Sequence, residues 1–251
     1  MTRENKVKTI LVTLNLPESG KSVFDDLEQN HKIKVDYRSF IEVQPEPVRE
    51  LRNQRLNILD HTAVILTSKN AVDNFFRIAE EMRVDLPAAM KYFCTNDSIG
   101  NYIQKYIQVR KRKVFTGKGP ESDFLRLIKA HNKENYLFPC SDIRKPSIPD
   151  FLLTHKIKFT EAVMYRTVSA DLSDLKEVFY DIIVFYSPAD IKSLYENFPD
   201  FIQGNTRIAA FGGTTKGAIE EADLILDIHA PSPEHPSMLS AILEYLGKVN
   251  N

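Results

Sequence analysis

The segment Val64-Ile65-Leu66-Thr67-Ser68-Lys69-Asn70-Ala71-Val72 decides the fold. With Thr62 and Ala63 ahead of it, its first half is a continuous apolar run, which suits a strand buried on both faces. Ala71, Val72, Phe75, Phe76 and Ala79 then recur at i, i+3, i+4 spacing, so a helix with one apolar face follows at once. The same pattern returns at Ile183-Val184-Phe185-Tyr186-Ser187-Pro188-Ala189-Asp190-Ile191, with Leu194-Tyr195 in place of Phe75-Phe76. Downstream of each copy stands a second strand–hydroxyl–helix unit. The first reads Phe93-Cys94-Thr95-Asn96-Asp97-Ser98-Ile99-Gly100, the second Ala210-Phe211-Gly212-Gly213-Thr214-Thr215-Lys216-Gly217. Ser68 and Ser98 are 30 residues apart and Ser187 and Thr215 are 28 apart, so the order and spacing of both units favour two related halves.

Outward from these segments, further short runs rich in Val, Ile, Phe and Tyr read as strands. They are Thr9–Leu14, Lys113–Thr116, Tyr136–Pro139, Phe159–Val168 and Leu224–Ile228, with the first copies completing as Thr62–Thr67, Lys91–Thr95, Asp181–Tyr186 and Arg207–Phe211. Helical patterns such as Phe124-Leu125 with Leu127-Ile128 lie between them. Repeated β-α alternation implies parallel sheets with helices on both faces, hence an α/β protein of doubly wound type. A length of 251 residues allows one large domain or two modest ones, and the repeat points to two.

Composition excludes several classes. Hydrophobic residues at 43% and charged residues at 27% are ordinary for a globular chain. A formal net charge of -1 does not mark nucleic acid or an anionic membrane as a partner. The basic run Arg110-Lys111-Arg112-Lys113 is short and reads as a solvated edge strand. Cys94 and Cys140 are too few for a disulfide scaffold or a Cys-rich zinc site. The six histidines form no H-E-x-x-H or comparable ligand pair, so no metal is expected. There is no G-x-S-x-G elbow or Cys–His nucleophile. Asn15-Leu16-Pro17-Glu18-Ser19-Gly20-Lys21-Ser22 misses the P-loop pattern at its first Gly, and Pro17 and Glu18 spoil the phosphate cradle. It reads as a loop in which Ser19 caps a helix starting near Gly20. The N-terminus carries no apolar signal region and no run is long enough to span a bilayer, so a cytoplasmic protein is expected.

What remains is a chain whose hydroxyl-bearing turns sit past the carboxyl ends of parallel strands, where open α/β sheets bind ligands. Helix N-termini present unsatisfied N–H groups and partial positive charge there. Two such edges facing each other would form a cleft for a polyanionic small molecule. The same Ser and Thr residues also read as plain helix caps.

Taken in order, these segments resemble the uroporphyrinogen-III synthase family. Ile65–Val72 is similar to its "FTS-x-NAV" segment, Ala162-Val163-Met164-Tyr165-Arg166-Thr167 to its "VY-x-T" strand, and Val184-Phe185-Tyr186-Ser187-Pro188 to "FTSP". Ala210–Thr215 resembles "IGPTTA", and Ala230-Pro231-Ser232-Pro233 a closing "SPTP"-like element. The resemblance implies two similar doubly wound α/β domains joined by a two-stranded linker, at about Val35–Pro45 and Phe159–Ser169. It implies one domain from residues 1–38 plus 169–251 and an inserted one from 39–168. It also implies an enzyme that closes hydroxymethylbilane, with inversion of the last pyrrole ring and loss of water, through an azafulvene cation and a spirocyclic pyrrolenine, using no cofactor or metal.

By match to the family, Tyr165 would donate a hydrogen bond to the departing hydroxyl. Thr67, Ser68, Asn70, Ser98, Ser187, Gly213, Thr214 and Thr215 would bind the substrate's carboxylates or orient its rings. The small-molecule substrate would be the partner, with no nucleic acid or membrane, and the protein would act as a monomer. The chain departs from the family in three places: Thr13-Leu14 replaces a Thr-Arg pair, Thr95 replaces a turn glycine, and Tyr186 replaces a threonine. Arg166, Lys69 and Lys216 are the alternatives for the missing arginine. A non-catalytic tetrapyrrole- or polyanion-binding homologue is the alternative function.

Overall fold

A computed structural model of the chain describes residues 5–17, 20–108 and 111–250. Its strands are β1 (Thr9–Val12), β2 (Lys34–Tyr37), β3 (Ile41–Pro45), β4 (Ala63–Leu66), β5 (Lys91–Cys94), β6 (Val114–Thr116), β7 (Tyr136–Ser141), β8 (Phe159–Ser169), β9 (Ile182–Phe185), β10 (Arg207–Phe211) and β11 (Leu226–Ala230). The helices are α1 (Asp25–His31), α2 (Val48–Asn53), α3 (Lys69–Glu81), α4 (Asp97–Tyr102), α5 (Glu121–Ala130), α6 (Ser147–Thr154), α7 (Pro188–Asn197), α8 (Gly213–Glu221) and α9 (Met238–Val249). The chain divides into two compact units, Met1–Glu42 with Val168–Asn251, and Val43–Thr167.

The continuous apolar runs are explained by burial on both faces. In β4, Val64 and Leu66 pack with Phe75 and Ile78 of α3, while Ala63 and Ile65 pack with Phe124 of α5 and Leu152 of α6. In β9, Ile182 and Val184 join Leu27 of α1 and Ile242 of α9, while Ile183 and Phe185 join Ile191 of α7 and Ile219 of α8. Each fully buried Ile, Leu or Phe contributes roughly 1.5–3 kcal/mol. A charge at any β4 position would therefore have no solvent face to escape to.

The two sheets share one plan. One has the order β11-β10-β9-β1-β2, the other β3-β8-β7-β4-β5-β6. Setting β9, β10 and β11 over β4, β5 and β6 puts β1 and β2 over β7 and β8. The units are thus circular permutations of one arrangement, and the helices follow: α7 and α8 correspond to α3 and α4, α9 and α1 to α5 and α6. All pairs within these five-strand sets are parallel. β3 is antiparallel to β8: Ala170 N donates to Phe40 O and Glu46 N to Met164 O, so numbers rise along one strand as they fall along the other.

Several boundaries differ from the sequence reading. The segment Val35–Pro45 is not one linker strand. It breaks after Tyr37, where Phe40 turns into the core of its unit against Phe185 and Arg38 pairs with Asp174. Leu224 belongs to the exit of α8, closed by its N–H to Ile219 O after Asp223 at φ 55°, and β11 starts two residues later. α1 begins at Asp25 rather than near Gly20, because Gly20 sits at φ 66°, outside helical geometry, with its N–H donated to Pro17 O. Ser19, Val109 and Arg110 lie outside the described residues; Lys111–Lys113 forms a 3-10 turn leading into the edge strand β6. No helix among the described residues is long and apolar enough to cross a membrane.

Candidate functional site

In the unit Val43–Thr167, strand order reverses between β7 and β4: the chain runs β4, β5, β6 in one direction and β7, β8 in the other. Ligands of doubly wound sheets bind beyond the carboxyl ends at such a reversal. A cavity of about 330 Å³ lies there, lined by residues that include Thr67, Ser68, Thr95, Ser141, Arg144, Lys145 and Tyr165.

Ser68 is the N-cap of α3. Its Oγ accepts the Ala71 N–H at 3.0 Å and lies 3.2 Å from the Tyr165 hydroxyl. Tyr165 is 6% exposed. Burial raises its phenol above the ordinary tyrosine value, against a smaller lowering by Ser68, so at neutral pH it is a hydrogen-bond donor. Its orientation depends on an irregularity. The β7–β8 pairing shifts between Cys140 and Ser141, so Ser141 stands opposite Tyr165 rather than Met164. Ala162, Met164 and Tyr165 consequently all enter one core cluster, which strict alternation forbids.

The strand carrying Tyr165 is tied to α3 by Arg77. Its Nη2 donates to Glu46 O at 2.9 Å and to Met164 O at 3.4 Å. Arg166 is spent in a two-pronged pair with Glu46, at 2.8 and 3.2 Å. Asp142 is exposed and accepts from Ser141 Oγ and Thr167 N; against a partial desolvation these bonds carry its carboxyl below the usual aspartate value. Cys140 lines the cavity, but burial pushes its thiol up to about 12 and removes it as a nucleophile.

Among the sequence-derived site residues, Thr67, Ser68 and Tyr165 come together here. Asn70 and Ser98 are exposed at the second helical positions of α3 and α4 and are not among the cavity's lining residues. α4 is capped by Asn96 instead of a hydroxyl residue. Thr95 does reach the cavity, where its hydroxyl donates to Thr67 O at 3.4 Å. Arg144, Lys145 and Ser141 were missed by sequence reasoning. The readable signal was a dibasic pair just past a buried strand.

In the other unit, the reversal falls between β1 and β9. Ser187 caps α7, and Gly212, at φ 89°, starts α8 on the neighbouring strand. Gly213 and Thr214 are exposed; Thr215 is 1% exposed, and its hydroxyl has no hydrogen-bond partner among the described residues. Asp190, also 1% exposed, accepts from Thr13 Oγ1, Tyr186 N and Ser187 N at 2.9–3.0 Å. Its burial raises its carboxyl above the usual value in spite of those bonds. Thr13 is therefore bound to the protein itself, and Tyr186 packs on Phe211. A separate apolar concavity of about 470 Å³, which includes Phe40, Phe198 and Ile202, lies at the amino ends of β9 and β10, away from these turns. No group of three or more His, Cys, Asp or Glu among the described residues is placed to hold a metal ion, and His235 pairs with Glu244.

Comparison with known proteins gives the fold and the family. The model of a family described as uroporphyrinogen-III synthase HemD matches residues 25–240. Uroporphyrinogen-III synthase of Saccharomyces cerevisiae is 33% identical over an alignment of 134 residues that covers 47% of this chain and 48% of the yeast protein. The alignable stretch thus spans about half the length of that relative. Uroporphyrinogen-III synthetase from Helicobacter pylori covers 96% of this chain and 99% of its own, with a TM-score of 0.62 at 19% identity. A mutant uroporphyrinogen III synthase from the extremely thermophilic bacterium Thermus thermophilus gives 0.56 at 15% identity, with the same coverage. The two structural likenesses carry the fold, and the family match extends over most of the sequence. The chain belongs to the uroporphyrinogen-III synthase family.

Proposed function

We propose that this chain catalyses the closure of hydroxymethylbilane to uroporphyrinogen III, with loss of water and inversion of the last pyrrole ring. The observation that carries the reading is the buried Tyr165 hydroxyl, 3.2 Å from the cap of α3, in a cavity at the strand-order reversal. In this role the phenol donates a hydrogen bond to the departing hydroxyl as the azafulvene cation forms. A protonated donor in a desolvated site stabilises the charge that develops on the leaving oxygen. The pyrrole is already reactive, so positioning supplies much of the remaining acceleration.

Thr67, Ser68, Asn70, Ser98, Ser187, Gly213, Thr214 and Thr215 are assigned to the substrate's carboxylates and rings. For Asn70 and Gly213 the useful group is the backbone N–H, since first-turn N–H groups have no intrahelical acceptor. The protein is read as a lyase, acting as a cytoplasmic monomer without a cofactor; two buried free thiols suit a reducing compartment.

Purified protein supplied with hydroxymethylbilane tests this, with the two product isomers separated by chromatography. The type III isomer is the expected product. Accumulation of type I alone defeats the reading, and tight uroporphyrin binding without turnover would assign the chain as a binding homologue.

A further inference from the structure

The missing family arginine leaves open which cation meets the substrate's carboxylates, and three residues are already occupied. Arg166 is paired with Glu46, Lys216 lies 3.8 Å from Glu220, and Lys69 lies over the Tyr102 ring. In the cavity that holds Tyr165, two cations stand side by side. Arg144 is paired with Glu161 at 2.8 Å. Glu121, the carboxylate in the same lining, accepts the Ser147 hydroxyl at 2.9 Å. Lys145 lines the cavity, is exposed, and has no ion-pair or hydrogen-bond partner among the described residues. It precedes Pro146, whose ring keeps the lysine backbone out of the helical region, and α6 begins directly after.

We infer that Lys145 is the substrate-binding cation of this cavity and takes a carboxylate of the linear tetrapyrrole while Tyr165 addresses the leaving hydroxyl. This rests on the proposed activity. Its contribution is uniform binding, equal in ground and transition states, so it acts on KM and leaves kcat nearly unchanged. An exposed ion pair of this kind is worth about five-fold in affinity and is screened by salt.

The test is Lys145→Gln beside Lys145→Arg, with folding checked by circular dichroism. KM for hydroxymethylbilane and the dissociation constant of uroporphyrin, a stable octacarboxylate read by fluorescence, are measured from low to high salt. Lys145→Gln is expected to raise both about five-fold at low salt, with kcat within two-fold and a flatter salt dependence; Lys145→Arg restores them. Unchanged KM, uroporphyrin affinity and salt slope in Lys145→Gln would overturn the assignment. If the wild type forms type III product while that happens, only Lys145 falls. If the wild type forms type I alone, the parent activity falls, and the uroporphyrin titration still decides whether Lys145 binds a carboxylate.

Discussion

Replacing Tyr165 with Phe separates chemistry from stability. The substitution deletes one hydroxyl from a ring that is 6% exposed and leaves the ring's packing intact. Among the described residues the hydroxyl has one hydrogen-bond partner, Ser68 Oγ at 3.2 Å, and Ser68 keeps the Ala71 N–H at 3.0 Å afterwards. No buried donor is orphaned, so the loss is about 1 kcal/mol, or roughly 2–4 °C in Tm for a chain of this size. Removing a positioned proton donor costs about 100-fold in kcat, equivalent to about 2.7 kcal/mol. KM should hardly move, because the bond strengthens only as the leaving oxygen gains charge. The assay is the initial rate of type III product with the isomers resolved; as catalysis slows, spontaneous closure should raise the type I fraction. Burial holds the phenol above its ordinary value, so the wild-type rate should stay flat from pH 7 to about 9 and decline only above about pH 10. A kcat within two-fold of wild type in Tyr165→Phe, with Tm preserved, would refute the role. So would a wild-type basic limb centred below about pH 9.

Three further perturbations follow from the same geometry. Thr215→Val replaces a buried hydroxyl that has no partner among the described residues with an isosteric methyl, so Tm should hold or rise by an amount worth about 1 kcal/mol; a rise in KM in the same protein would show that the hydroxyl meets substrate. Asp190 has its folded pKa raised by burial, so its stabilising contribution is complete below the unfolded value of about 3.9 and is lost as pH rises through the folded value. Asp190→Asn keeps an acceptor for Thr13, Tyr186 and Ser187, and should melt higher than wild type at pH 7, with the difference closing near pH 3 in a thermal scan. Arg77→Met strips a donor from Glu46 O and Met164 O; urea unfolding should show a loss of about 2 kcal/mol, and kcat should fall as β8 loosens from α3.

The runs at Ala63–Leu66 and Ile182–Phe185 were legible as strands because residues buried on both faces leave no polar alternation, and burial is a local demand on composition. The helices after them were legible for the same reason at a different period. The repeat was legible as well, since Thr67-Ser68 and Tyr186-Ser187 end equivalent strands. What the repeat did not contain was the permutation of strands between the units, because chain order is silent about which neighbour each strand pairs with. The break of Val35–Pro45 was also hidden: Phe40 leaves the strand for a core that, Leu11 apart, is built from residues more than a hundred positions away.

The site divides along the same line. Ser68 as a cap and Tyr165 as a strand aromatic follow from the sequence, but their 3.2 Å contact depends on a pairing shift opposite Ser141, which changes which side of the strand a residue occupies. Charge availability is a tertiary property too. Arg166, Lys216 and Lys145 look alike in a sequence; Glu46 and Glu220 engage the first two, and the packing leaves Lys145 at the cavity without a partner among the described residues. Local hydrophobic pattern thus determined the α/β class and the strand–helix units, and the ordered motifs carried the resemblance to the family. Long-range pairing decided the permuted sheets, the direction of Tyr165 and the allocation of charge, because each depends on atoms that the chain brings together only when it folds.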